Sequence, residues 1–330
     1  MPAIAAHGLV KRFGPIAALD GIDLAVEAGS VLGLLGPNGA GKTTAVRILT
    51  TIIEPDAGRA SVLGLDVVEN AEQVRAIIGL AGQYAAVDEN LTGRENLRLI
   101  GQLTHQPRRA IAARADELLD RFGLDGAAGR PVRTYSGGMR RRLDLAGALV
   151  HRPAVLFLDE PTTGLDPSGR SELWALIGQL VADGATVLLT TQYLEEADRV
   201  ADYIVVVDRG RIIAEGTSVE LKAGLGSTVV EIQVADLASA QRAAGRITEI
   251  APAELRDRTV AVQVADKGPA VQKVICQLEA DDIVPESLAI REPTLDDVFL
   301  QLTSQRAGAV PNGPIRQRAD AVRVYEESGR

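Results

Sequence analysis

Apolar residues fall into short unbroken runs separated by longer helical periods, the pattern of a parallel sheet buried on both faces. Ser30-Val31-Leu32-Gly33-Leu34-Leu35, Ala154-Val155-Leu156-Phe157-Leu158 and Thr186-Val187-Leu188-Leu189-Thr190 each predict a buried strand. Thr43 to Ile53 follows the first run as a helix with Val46, Leu49 and Ile53 on one face, and a helix from about Ser168 to Asp183 lies between the other two. Ile4 to Val26 predicts two antiparallel strands around a turn at Arg12-Phe13-Gly14-Pro15, with alternation from Leu19 to Leu24. Gly58 to Leu63 is a further strand. Val74 to Ala81 is a helix end running into another, and Gln83 stands just beyond it. Tyr203–Val207 and Arg211–Ala214, separated by Asp208-Arg209-Gly210, predict a closing hairpin.

Two stretches depart from this pattern. Residues Thr92 to Asp120 are rich in Arg, Ala and Leu, with Leu97, Ile100 and Gly101, then Ala115, Leu118, Leu119 and Phe122, at helical spacing, which predicts a helical insertion over about residues 88–150. Beyond Gly216 the segments Thr228–Val234, Leu237–Ile247, Leu255 with Thr259–Val264, Pro269–Leu278 and Pro285–Ile290 run strand, helix, strand, strand, helix, strand. That order predicts a small split βαβ, ferredoxin-like α+β domain over 226–303, after a larger α/β domain over 1–225. Thr294 to Thr303 predicts its last helix, with Leu295, Val298, Phe299 and Leu302 on one face, and residues 304–330 predict a flexible polar tail.

Composition narrows the class. A chain of 330 residues with 46% hydrophobic content can bury cores for two domains. No apolar run approaches the ~18 residues that span a bilayer, and Met1 to His7 lacks a signal peptide's basic start, so a cytoplasmic chain is expected. The single Cys276 excludes an internal disulfide, and with three scattered histidines it argues against structural zinc. A net charge of −9 argues against a broad nucleic-acid footprint.

The candidate chemistry sits at the carboxyl ends of the buried runs. Gly36-Pro37-Asn38-Gly39-Ala40-Gly41-Lys42-Thr43 fits the phosphate-loop pattern: glycines let backbone N–H groups converge on a phosphate, Lys42 would reach the β/γ-phosphates, and the Thr43 hydroxyl would hold Mg²⁺. Asp159 and Glu160 end the second run; as neighbours on a strand they would face opposite ways, Asp159 toward Mg²⁺ and Glu160 toward a water for in-line attack. Gln83 can place its carbonyl on Mg²⁺ or orient a water. Ser136-Gly137-Gly138 opens a second phosphate-ready helix, with Leu143, Ala146, Leu149 and Val150 on its apolar face. One γ-phosphate cannot use both helix starts unless they approach from opposite sides. Phe13 can stack on a base or pack inward.

Together Gly36–Thr43, Gln83, Tyr135-Ser136-Gly137-Gly138-Met139, Leu156–Glu160 and Gly164-Leu165-Asp166 resemble the nucleotide-binding subunits of ABC transporters over about residues 3–225. The resemblance implies a P-loop NTPase fold, with a RecA-like core, an antiparallel β subdomain and a helical subdomain. It implies ATP with Mg²⁺, Phe13 as the adenine-stacking ring, Thr44 on the α-phosphate, Gln83 as the Q-loop, Asp159 and Glu160 as magnesium-binding and catalytic carboxylates, and Asp166 as the D-loop. It also implies a head-to-tail homodimer in which Ser136 to Gly138 of one subunit close over the ATP held by Lys42 of the other.

Two positions depart from the family pattern. Tyr-Ser-Gly-Gly-Met stands where Leu-Ser-Gly-Gly-Gln is commoner, and Gln192 replaces the switch histidine; His7, His105 and His151 lie outside that strand end. An amide can still donate an N–H to a γ-phosphate, but it carries no titratable proton. Thr190-Thr191-Gln192-Tyr193-Leu194-Glu195-Glu196-Ala197-Asp198, Gly82-Gln83-Tyr84, Arg140 to Asp144 and Glu292 to Leu300 resemble the daunorubicin-resistance type of drug-exporter ATPase. That resemblance implies export of a lipophilic compound through separate integral-membrane permease subunits, with this chain peripheral on the cytoplasmic face. Two rivals are a soluble ABC-type ATPase acting on nucleic acid or the ribosome, and an importer subunit. The first usually carries two cassettes, a long coiled-coil insertion or a basic surface, whereas this chain has one cassette and a charge of −9.

Overall fold

The computed structural model describes residues 2–82, 87–223, 228–248, 251, 253–264, 268–281 and 283–299. The chain divides into two compact units, 1–218 and 219–330. In chain order the first unit holds β1 (Ile4–Phe13), β2 (Ile16–Val26), β3 (Val31–Leu35), α1 (Lys42–Leu49), β4 (Ala57–Val62), β5 (Leu65–Asp66), α2 (Ala71–Ile77) and β6 (Ile78–Ala81). It continues with α3 (Gly93–Leu103), α4 (Arg108–Arg121), α5 (Gly137–Ala148), β7 (Val155–Asp159), α6 (Pro167–Ala182), β8 (Thr186–Thr191), α7 (Leu194–Val200), β9 (Tyr203–Asp208) and β10 (Arg211–Gly216). A short helix α8 (Ser218–Ala223) stands at the division.

The central sheet runs β10-β9-β3-β8-β7-β6, parallel except for β10. Its middle strands are apolar because both faces are covered. Along β7, Val155 and Phe157 enter one core with Ile4, Leu24, Val46 and Ile48, while Leu156 and Leu158 enter a second with Leu97, Leu118, Phe122 and Leu143. Truncating a residue such as Phe157, fully buried in this layer, to Ala would cost about 3–5 kcal/mol. A second sheet, β2-β1-β4-β5, is antiparallel and supplies the first core with Ile4, Leu9, Leu24 and Val62. Its β1–β2 hairpin pairs Phe13 with Ile16 around Gly14, whose φ of 57° is the left-handed turn a two-residue loop needs. Phe13 therefore ends a strand and does not sit in the turn, as the sequence had suggested.

The helical insertion is real and comprises α3, α4 and α5. Its entry is fixed by a capping box: Thr92 accepts from the Glu95 amide at 3.2 Å, and the Glu95 carboxylate accepts from the Thr92 amide at 2.8 Å. Between α4 and α5, Tyr135, buried, donates its phenol to the Ala127 carbonyl at 2.8 Å. The helix after the phosphate loop is shorter than the predicted Thr43–Ile53: Thr51 turns left-handed at φ 64° and stops α1 at Leu49.

The second unit contains β11 (Thr228–Val234), α9 (Leu237–Ile247), β12 (Ala253–Arg256), β13 (Thr259–Val264), α10 (Pro269–Ala280) and β14 (Pro285–Arg291). Its sheet order is β12-β13-β11-β14, antiparallel throughout, as the strand, helix, strand, strand, helix, strand pattern predicts for a split βαβ fold. Val230, Ile232, Val260 and Val262 pack against Ala243 and Ile247 of α9 and Val274 and Leu278 of α10. Residues 295–299 are helical, with Leu295 and Val298 buried; residues 300–303 of the predicted last helix and the predicted tail fall outside the described residues. Arg291 anchors this end, donating to Asp297 at 2.6 and 3.1 Å and to Glu231 at 2.8 Å. Among the described residues, no helix is long and apolar enough to cross a membrane.

Candidate functional site

The carboxyl ends of β3, β7 and β8 are adjacent, so the turns leaving them share one edge of the sheet. The turn after β3 is the predicted phosphate loop. It is held by Gly36 N to Thr191 O at 3.2 Å, Ala40 N to Pro37 O at 3.1 Å and Gly210 N to Ala40 O at 2.9 Å. Two of its glycines are sterically required. A Cβ on Gly36 would lie 2.2 Å from the Val207 carbonyl, and one on Gly41, at φ 110°, would lie 2.3 Å from the Ala18 carbonyl. Gly39 is also left-handed, at φ 81°, and Pro37, Asn38 and Gly39 are exposed. Gly41 precedes α1, leaving the first N–H groups of that helix aimed into the loop.

Lys42 is only 4% exposed. Its ammonium donates to the carbonyls of Gly36 at 2.7 Å and Pro37 at 3.1 Å, and lies 3.5 Å from Glu160 Oε1. Burial pulls its pKa below the usual lysine value, against the opposing pull of Glu160 and then Asp159. Thr43 donates its hydroxyl to Asp159 Oδ1 at 3.2 Å; Thr44, next in α1, is half-buried.

The two carboxylates do serve different partners, though not for the reason the sequence suggested. β7 ends at Asp159, and Glu160 has already left the strand with a left-handed φ of 50°, so strand alternation does not set its direction. The turn is held by Thr190, which sequence reasoning passed over. Its hydroxyl donates to Asp159 Oδ1 at 2.5 Å and accepts from the Glu160 amide at 3.0 Å. Thr163 donates to Glu160 Oε2 at 3.3 Å. The signal available for Thr190 was a threonine pair, Thr190-Thr191, closing a strand whose middle, Val187-Leu188-Leu189, is apolar.

Gln192 follows β8 directly and is half-buried, and its side-chain amide has no hydrogen-bond partner among the described residues. Gln83 lies outside the described residues. Phe13 is 49% exposed, with Lys11 Nζ 5.9 Å from its ring centroid, so the ring has not packed inward. Ser136 caps α5 by accepting from the Met139 amide at 3.2 Å, and Gly137 and Gly138 leave open space beside that helix start. Asp166 caps α6, accepting from Gly169 at 3.1 Å. Lys42, Thr43, Asp159, Glu160 and Thr190 thus form one linked cluster through the contacts above, and Ser136 is not part of it.

The donor set suits a hard divalent cation: a threonine hydroxyl beside a carboxylate, both oxygen ligands. Among the described residues there is no group of three His, Cys, Asp or Glu side chains that could hold a metal by themselves. The protein's share of a magnesium shell completed by phosphates has this form.

Comparison with known proteins places this geometry. The ABC transporter family model matches residues 19–163, and a model of the DrrA1-3-like ATP-binding protein C-terminal domain matches residues 216–303. The daunorubicin resistance ATP-binding protein DrrA3 of Streptomyces coeruleorubidus is 53% identical over 302 residues, spanning 91% of this chain and 96% of the relative. The daunorubicin/doxorubicin resistance ATP-binding protein DrrA of Streptomyces peucetius is 46% identical, over 92% of this chain and 93% of that protein. Among solved structures, cbiO1 from Clostridium perfringens, described as part of the ABC transporter complex cbiONQ, superposes with a TM-score of 0.63 at 28% identity. That superposition covers 67% of this chain and 91% of cbiO1. The chain therefore belongs to the ABC transporter family, among the ATP-hydrolysing subunits of the daunorubicin-resistance type.

Proposed function

We propose that this chain binds ATP with Mg²⁺ and hydrolyses it to drive outward transport of a lipophilic, drug-like compound through separate membrane permease subunits. The observation that carries the proposal is the pairing of the Lys42 ammonium, inside a loop that admits no Cβ at Gly36 or Gly41, with the Glu160 carboxylate at 3.5 Å. Residues Gly36 to Lys42 and Thr44 would hold the phosphates, and Phe13 would stack on the adenine. Thr43, Asp159 and Gln83 would hold Mg²⁺, which supplies charge neutralisation on the phosphate oxygens. Glu160 would accept the proton of the attacking water, and Gln192 would donate its amide N–H to the γ-phosphate.

Ser136 is separate from the Lys42 cluster yet presents a capped helix start with two glycines. This supports a homodimer in which Ser136, Gly137 and Gly138 complete the site of the partner subunit, with Asp166 at the junction. Residues 1–225 would form the cassette, with the helical subdomain over 88–150; 226–303 would be an accessory domain for dimer or partner contact, and 304–330 a tail. The assembled subunit would lie on the cytoplasmic face of the membrane. Relatives named for daunorubicin and doxorubicin resistance support a drug-like, lipophilic cargo. The test is MgATP-driven accumulation of a fluorescent anthracycline in inverted membrane vesicles carrying this chain and its permease. Uptake abolished by Glu160→Gln is expected. Absence of uptake together with co-purification on ribosomes would overturn the reading in favour of a soluble ATPase.

A further inference from the structure

Arg141 stands on α5, five positions beyond Ser136, with its side chain 10% exposed. Its guanidinium donates from Nη1 to the Gly82 carbonyl at 2.5 Å, from Nε to the Pro161 carbonyl at 2.7 Å and from Nη2 to the Asp159 carbonyl at 3.2 Å. Nη1 also meets Asp144 Oδ2 at 3.1 Å, one turn along the same helix. Burial draws the pKa of the guanidinium down, while Asp144 and then Asp159 hold it charged.

The three carbonyls come from places that matter for the proposed chemistry. Gly82 directly precedes Gln83, and Asp159 and Pro161 flank Glu160. A planar fork carries its donors on three separate nitrogens and can reach carbonyls on separate segments at once, a spread that the single nitrogen of a lysine ammonium or an amide does not reproduce. Glu160 itself sits in a left-handed conformation that its own preferences do not favour, so its direction depends on what holds its neighbours.

We infer that Arg141 is a positioning residue that ties the helix starting at Ser136 to the carboxyl end of β7, so that the helix serving the partner's nucleotide also sets where Glu160 points at its own. The inference rests on the functional reading above. It makes one side chain the rigid link within a subunit between its two half-sites, and it gives the Arg140-Arg141-Arg142 run a role that phosphate contact does not explain.

The test compares the full-length parent with Arg141→Lys, Arg141→Gln and Asp144→Asn, measuring ATP affinity by calorimetry, steady-state kcat and circular dichroism. Both Arg141 variants are expected to bind ATP within about threefold of the parent while kcat falls by about tenfold or more. Asp144→Asn leaves the three carbonyl bonds in place and should keep kcat within about threefold. The inference is overturned if a folded Arg141 variant turns over like the parent, if affinity falls as far as kcat, or if Asp144→Asn is as slow as Arg141→Lys. It is equally overturned if neither Arg141 variant regains the parent's circular dichroism, since the residue is then a folding element. A parent that neither binds nor hydrolyses ATP would instead remove the functional reading itself.

Discussion

The Lys42 ammonium and the Glu160 carboxylate lie 3.5 Å apart, each less than a tenth exposed. The phosphate-binding lysine and the proposed base are thus an ion pair whose members lose most of their hydration together. Removing one partner of such a pair is costlier than removing both, because the remaining charge stays buried. We expect Lys42→Ala to destabilise the chain by about 3–5 kcal/mol, and the Lys42→Ala/Glu160→Gln double variant to regain part of that loss. Chemical denaturation of Lys42→Ala, Glu160→Gln and the double variant measures it. A double variant as unstable as the sum of the singles would mean that the pair is not coupled.

Thr190 joins Asp159 to the backbone of Glu160 through one hydroxyl. Thr190→Val keeps the shape but removes both bonds, so the folded state should lose about 1–3 kcal/mol and ATP turnover should fall by about tenfold. Thr190→Ser should retain most of the turnover. Equal rates for the valine and serine variants would show that the hydroxyl does not align the carboxylates.

Gln192 emerges directly from β8 with its amide unengaged among the described residues. If it donates one hydrogen bond to the γ-phosphate, Gln192→Ala should cost ~1.5–3 kcal/mol of transition-state stabilisation, about ten- to a hundredfold in rate. Gln192→His should keep or raise the rate and add a pH-dependent limb near the imidazole pKa that the parent lacks. ATPase rates of the assembled transporter from mildly acidic to mildly basic pH check this. An alanine variant as fast as the parent would remove Gln192 from the site.

In the second unit, burial pushes the Asp297 carboxyl pKa up, but the bidentate Arg291 contact and the two bonds from Thr294 outweigh it and hold the pKa below the usual value. A carboxyl with a depressed folded pKa lends stability that is complete above its unfolded pKa and is lost as pH falls through the folded one. Asp297→Asn should therefore destabilise the second unit by ~1.5–3 kcal/mol at neutral pH and by progressively less in acid, with ATP affinity unchanged. Unfolding monitored at neutral and acidic pH decides it; a pH-independent difference would contradict the assignment.

The sequence made the buried strands and the phosphate loop legible because both depend on local pattern: apolar runs for β3, β7 and β8, and glycines at Gly36 and Gly41 where no Cβ fits. The alternation of the second unit likewise gave its strand order through a known connection rule. What escaped was set by long-range contact. The left-handed turn at Glu160 has no signature in residue type, and strand alternation does not set its direction because β7 stops one residue earlier. Arg141 is one of three consecutive arginines in the sequence, and its acceptor at Gly82 lies 59 residues away. α7 is short and acidic at its start, and its period was too brief to register.

The most direct test of the account is the size of the Glu160→Gln variant with and without MgATP. Removing the proposed base while keeping Lys42, Thr43 and Ser136 should leave ATP binding intact, nearly abolish hydrolysis and trap a dimer whose sites each need Ser136 of the partner. We expect a monomer without nucleotide and a dimer with MgATP, and expect the added substitution Ser136→Arg to restore the monomer. A variant that binds ATP yet remains monomeric at every ATP concentration would contradict the shared-site mechanism.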